Sequence, residues 1–185
     1  HPNNKYFIEV LTKALKTSEP EFGKFKLSPI DTLISQERQL RELNKGNIDV
    51  FWTVSTPMRE KVALPIKIPL IKGAYGLRVL VINKLDKSVF SMLNSQEGLA
   101  GKIAVLGKDW PDAAIFRANK LSINTEAPEY SLYNVIAKER GFYFPRAITE
   151  AWSELHSLEN PQLTIDTHHL LQYPSAVYFF VAKDN

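Results

Sequence analysis

Apolar residues recur at helical spacing from Asn4 to Lys16, where Phe7, Val10, Leu11, Ala14 and Leu15 fall on one stripe. The pattern predicts an amphipathic helix that exits at Pro20 and Gly23, followed by a short strand at Lys24–Leu27. A second helix is predicted over Gln36–Asn44. Ser35 can cap its start, Leu40 and Leu43 face inward, and Gly46 stops it. The period then changes. Ile48–Val54 is nearly continuous in apolar character, as suits a buried parallel strand. Strand, helix and strand in about thirty residues make a βαβ unit. Pro57, Pro65 and Pro69 exclude a long helix from the next stretch, and Gly76–Asn83 reads as a further strand.

Polar residues dominate from Lys84 to Gly101, which sets a lobe boundary there. Alternation resumes with a strand at Lys102–Leu106, a helix led in by Gly107–Asp112 and reaching Asn119, and a strand at Leu121–Ile123. A helix over Glu129–Arg140 turns Leu132, Val135 and Ile136 inward and ends at Gly141. Phe142–Phe144 reads as a strand closed by Pro145. Ile148, Ala151, Trp152 and Leu155 share one helical stripe, which assigns Trp152 to the core. Leu163–Ile165 and Ala176–Ala182 are the last strands. This order predicts an α/β protein of two lobes with a mostly parallel sheet in each. Lobe I is expected from 1–83 with 174–185, and lobe II from 84–173. The two crossings, near Asn83 and Pro174, would form a hinge.

Composition narrows the classes. A chain of 185 residues with 44% hydrophobic content is globular and fits one large domain or two small lobes. No apolar run approaches the ~20 residues of a membrane span. Without cysteine, disulfides and thiolate metal sites are excluded. Lys and Arg number 23 against 20 Asp and Glu and are scattered, unlike the basic stripe of a nucleic-acid binder. His168 and His169 are adjacent, so in a strand their rings would diverge and share no metal. No metal or cofactor is expected. Phosphate-binding loops, Gly-x-Gly-x-x-Gly, His-Glu-x-x-His and carboxylates at catalytic spacing are all missing, which argues against an enzyme. The chain opens on His1 without a signal segment and stops just after its strongest β run. A fragment of a longer protein is expected.

Leu43-Asn44-Lys45-Gly46-Asn47-Ile48-Asp49-Val50 and Thr56-Pro57-Met58-Arg59-Glu60 carry the first resemblance. Leu99–Val105, Gly107–Asp112, Tyr143–Arg146, Tyr173-Pro174 and Tyr178–Val181 extend it in order along nearly the whole chain. Together they resemble the type II periplasmic solute-binding proteins of family 3, the amino-acid-binding-like group, in a divergent branch. The resemblance implies a periplasmic or extracellular monomer that captures a small polar solute in a cleft between lobes. It would deliver that solute to the permease of an ABC-type transporter, without nucleic acid or membrane insertion. A ligand-sensing domain of a membrane receptor, or a dehydratase or lyase on the same scaffold, are the alternatives. Such proteins begin with a strand and ligand loop, and end with a helix, that do not lie within residues 1–185. In amino-acid-binding relatives an Asp just after the strand equivalent to Phe142–Phe144 holds the ligand amine. Here Arg146 occupies that neighbourhood, which points away from an ordinary α-amino acid.

Ligands in open α/β sheets bind beyond the carboxyl ends of strands, so three segments are expected to converge. From Thr53–Arg59, the Arg59 fork suits an acid group or an ion pair, while Ser55 and Thr56 can bond a ligand or cap a turn. Trp52 precedes them as an aromatic platform or as packing. From Gly107–Asp112, Trp110 has the same two readings. Asp109 can contact a ligand or cap the helix in a box with Asp112, and Lys108 adds charge near the free N–H groups or is solvated. The third segment contributes Phe144 and Arg146, with Glu150 four residues on as a pairing candidate. Two guanidiniums facing one cleft predict an acid-bearing solute between them.

Overall fold

A computed structural model describes residues 4–30, 34–94 and 96–184. Helix α1 (Asn4–Phe22) runs through Pro20, and Gly23, at φ 83°, turns the chain out of it. Phe7 is its one buried side chain. Lys24–Leu27 forms no strand, so the expected βαβ unit is missing. A strand needs a neighbour for its backbone groups, and none of the described strands lies against this segment. Helix α2 (Gln36–Asn44) forms as its caps predict. Ser35 Oγ accepts from the Arg38 N–H, Leu40 and Leu43 are buried, and Gly46 has φ 75°.

The first sheet has the order β1 (Phe51–Val54), β8 (Val177–Val181), β2 (Leu64–Ile66), with the short α3 (Pro57–Val62) between β1 and β2. Phe51, Phe180, Leu40, Leu43 and Ala63 make its core. The second sheet has the order β5 (Ser122–Asn124), β4 (Ile103–Val105), β6 (Phe142–Ala147), β3 (Leu77–Asn83), β7 (Leu163–Gln172). Helices α4 (Lys87–Ser91), α5 (Gln96–Ala100) and α6 (Pro111–Ala118) contribute Phe90, Leu99, Ala113 and Phe116 to one core with Leu80, Ile82 and Tyr143. Helix α7 (Leu132–Lys138) adds Leu132 and Ile136 to another, with Val81, Val105 and Phe144.

The two-lobed α/β architecture stands, and its strand directions are more mixed than the apolar runs suggest. Pairing is parallel through β5-β4-β6 and antiparallel through β6-β3-β7. In the first lobe β8 is antiparallel to both β1 and β2, because it enters between them on the chain's return from the second lobe. β3 pairs with β6 and β7, so it belongs to the second sheet, and the boundary lies before it rather than after Asn83. The crossings meet at Gly76 and Tyr173, where the Tyr173 N–H donates to Gly76 O at 3.1 Å.

Three local readings are corrected. Pro145 does not close β6; the ladder to β4 ends at Tyr143, so Pro145 has only the β3 side to serve. Helix α8 (Ala151–Leu158) turns Ala151 and Glu154 inward and leaves Trp152 54% exposed. Its orientation follows from Glu154, whose carboxylate is taken by Arg146. In β7 the register jumps from Val79↔Leu170 to Val81↔Ile165, and this bulge gathers the two imidazoles instead of separating them. Nδ1 of His168 and of His169 lie 3.2 and 2.7 Å from the fully buried Asp166 carboxylate.

Candidate functional site

A cavity of about 200 Å³ lies between the two sheets. The first lobe lines it with Phe7, Gln36, Trp52, Thr53 and Val177, and the second with Arg78, Trp110, Asp112, Arg146 and Glu150. Tyr75, in the 3-10 turn Ala74–Gly76 at the crossing, completes the wall, and burial pushes its hydroxyl up to about 12.

Of the residues singled out from sequence, Trp52, Trp110 and Arg146 line this space. Trp52 stacks on Phe7 with ring centroids 5.3 Å apart, so α1 and β1 hold one aromatic wall. Trp110 stacks on Phe144 at 5.9 Å and donates its indole N–H to Glu129 at 2.9 Å, which holds the opposite wall. Phe144 itself is buried core behind it. Gly107 is required here, since a Cβ would collide with the Trp110 indole. Burial, then the neighbouring Asp109, raise the Glu129 carboxyl above its ordinary range.

Arg59 is 7% exposed and sits one layer behind the wall. Its Nη1 donates to Thr53 Oγ1 at 2.6 Å and Val54 O at 2.9 Å. Its Nη2 donates to Gln36 Oε1 at 2.7 Å and, across the cleft, to Asp109 O at 3.3 Å. Every one of these acceptors is neutral, and among the described residues no carboxylate forms an ion pair with it. Burial therefore holds the guanidinium below its ordinary range, against the pull of Asp109 and Asp112.

The other two guanidiniums are neutralised. Arg78, on β3, pairs with Asp112 at 3.0 Å and donates through Nε to the Tyr173 hydroxyl at 3.0 Å; Tyr173 in turn donates to Asp112. Burial opposes the Arg78 charge, and Asp112 with its neighbours more than offsets this. Arg146 meets two carboxylates on the α8 side. Its Nε donates to Glu154 Oε2 at 2.7 Å, and its Nη2 reaches Glu154 Oε1 and, at 2.8 Å, Glu150 Oε2. The Glu150 contact is off the N–H direction, so Oε2 gains the charge but no hydrogen bond. Desolvation raises the Glu150 carboxyl and is only partly opposed by Arg146. The expectation that Arg59 and Arg146 repel until an anion lies between them is not met, because Glu150 and Glu154 take the Arg146 charge.

The remaining sequence candidates have structural positions. Ser55 donates its hydroxyl to Glu60. Thr56 caps α3, its Oγ1 accepting the Arg59 N–H at 3.2 Å. Thr56→Ala is expected to cost about 1 kcal/mol in urea unfolding, the usual scale for a lost N-cap. Lys108 is exposed. Asp109 does not cap α6, whose N-cap is Trp110 without a side-chain bond. It reaches across the cleft instead, Oδ2 accepting from the Glu37 N–H in the first turn of α2 at 3.0 Å. Asp112 serves Arg78 rather than a capping box. Sequence reasoning passed over Gln36, Thr53, Tyr75 and Arg78. The first two have no motif; Arg78 stands inside the apolar run of β3, where a buried charge is itself the signal.

No protein-family model matches the sequence, and no curated protein matches it. Solved structures do match in fold. The periplasmic VFT2 domain of BvgS from Bordetella pertussis aligns with a TM-score of 0.68 at 14% identity, over 94% of this chain and 71% of that one. An amino acid ABC transporter substrate-binding protein, AbpA, from Streptococcus pneumoniae bound to L-arginine gives 0.65 at 19% identity, over 94% and 70%. ArgBP from T. maritima gives 0.62 at 18% identity, over 94% and 71%. The chain therefore has the type II periplasmic binding protein fold.

Proposed function

We propose that this protein captures a small polar, acid-bearing solute in the cavity between its lobes, outside the cytoplasm and without catalysis. The carrying observation is Arg59, a buried guanidinium whose hydrogen-bond acceptors among the described residues are all neutral, beside a cavity whose other two guanidiniums already have carboxylates. An acid group exchanged for those neutral acceptors supplies the missing countercharge. Trp52 and Trp110 would cover the apolar part of the solute. The lobes would open and close about the Gly76 and Tyr173 crossings.

The captured solute would pass to an ABC-type permease, as the likeness to transporter substrate-binding proteins supports. The likeness to the BvgS domain supports a second reading, a sensor module reporting to a membrane receptor. No helix among the described residues is long and apolar enough to cross a membrane. A thermal-shift screen across mono- and dicarboxylates, amino acids and neutral or cationic solutes tests the chemistry, since a bound ligand raises the melting temperature. The best binder is expected to carry an acid group. Arg59→Ala should weaken it by about 1.5–3 kcal/mol, measured by calorimetry. A best binder without an acid group, or unchanged affinity in Arg59→Ala, refutes the reading.

A further inference from the structure

Gln36 Oε1 receives two hydrogen bonds at the cavity wall, from Arg59 Nη2 at 2.7 Å and from the Thr53 hydroxyl at 3.2 Å. A cationic fork donor and a hydroxyl converging on one oxygen are the environment of a bound carboxylate oxygen. The oxygen here belongs to the protein. Gln36 lines the cavity and Arg59 does not, and the Gln36 carboxamide is bonded to the guanidinium. Its position is secured from the opposite lobe. The Asp109 carboxylate accepts the N–H of the next residue, Glu37, while Asp109 O accepts from Arg59 itself.

We infer that Gln36 is a built-in competitor for the acid group of the solute, occupying the anion position on Arg59 until a ligand displaces it. This rests on the reading that Arg59 takes an acid group. A neutral carboxamide satisfies the guanidinium geometrically without cancelling its charge. It is therefore a weak competitor that excludes solutes lacking a full negative charge, since exchanging one neutral oxygen for another gains nothing. Gln36 thus sets both affinity and selectivity for anionic over neutral ligands. No motif marks it, because the contact joins residues 23 positions apart.

The test uses acetate, the smallest carboxylate probe that carries an apolar group, titrated into the full 185-residue chain. Indole N–H NMR signals of Trp52 and Trp110 report the cavity, and Trp152, which does not line it, serves as the reference. Q36A is expected to bind acetate about tenfold more tightly than the unaltered protein, the scale of one hydrogen bond to a charged group no longer in competition. Q36E, which places a carboxylate of the protein on Arg59, is expected to abolish the response. R59A should abolish it in either background. If Q36A binds no more tightly while R59A still abolishes binding, the competitor role of Gln36 is overturned and the Arg59 reading survives. Acetate binding by Q36E at the original affinity overturns it equally. If R59A leaves acetate binding unchanged, the Arg59 reading itself fails.

Discussion

Arg146→Ala is expected to destabilise the fold by about 3–5 kcal/mol, the cost of removing one member of a buried ion cluster. The Arg146 side chain is 9% exposed, and its partners Glu150 and Glu154 are 11% and 7% exposed, so solvent screening gives little relief. Burial disfavours the Arg146 charge, yet the two carboxylates hold its ionisation well above the ordinary arginine range. Without the guanidinium, two carboxylates would remain together beside Trp110 and Phe144, with the Tyr133 hydroxyl donating to Glu154. Urea unfolding followed by tryptophan fluorescence measures the loss. A change below about 1 kcal/mol would rank the cluster with surface ion pairs and contradict this account. Adding Glu150→Gln and Glu154→Gln should recover much of the loss, because the charges left unpaired are then removed.

Gly76→Ala should be the most damaging glycine substitution, at about 3 kcal/mol, the upper part of the overpacking range. A Cβ at Gly76 would overlap the backbone carbonyl oxygen of Tyr173 and press on the Ser175 nitrogen. Backbone cannot rotate aside as a side chain can. The two crossings between the lobes must therefore separate, straining the Tyr173 N–H bond to Gly76 O. Tyr173 also holds Arg78 and Asp112, so displacement here reaches the cavity wall. Gly101→Ala is the control. Its Cβ would meet only the Gly98 carbonyl at 3.6 Å, an ordinary contact, and stability should change by no more than about 1 kcal/mol in either direction. Equal melting temperatures for the two variants would remove the steric argument.

Much of the candidate site was legible as segments and little of it as contacts. Thr53–Arg59 and Gly107–Asp112 do converge, and Trp52, Trp110 and Arg146 do line one cavity. The partners differ. Asp109 has the composition of a cap for the helix that follows it, and it bonds instead to the start of α2, 72 positions away. Glu154, a charged residue that no motif marks, is buried because Arg146 lies against it.

What the sequence alone determined is whatever a few neighbouring residues decide. Ser35 and Gly46 bound α2 because capping and positive φ are properties of single positions. The run Leu77–Asn83 is a strand because its apolar, β-branched residues suit an element covered on both faces. The tertiary structure decided everything that needs a second surface. Lys24–Leu27 has strand-forming residues and no ladder to join. Trp152 has core-like spacing and stands exposed, because α8 is rotated by the demand of a buried guanidinium for carboxylates. Arg59 shows the division most directly. Its donor fork is readable from one letter, whereas its pairing with Gln36 and Thr53 exists only once the first lobe has folded, and that with the Asp109 carbonyl only once the two lobes meet. Buried charge is satisfied by geometry in three dimensions, and local spacing carries no record of which distant groups will supply it.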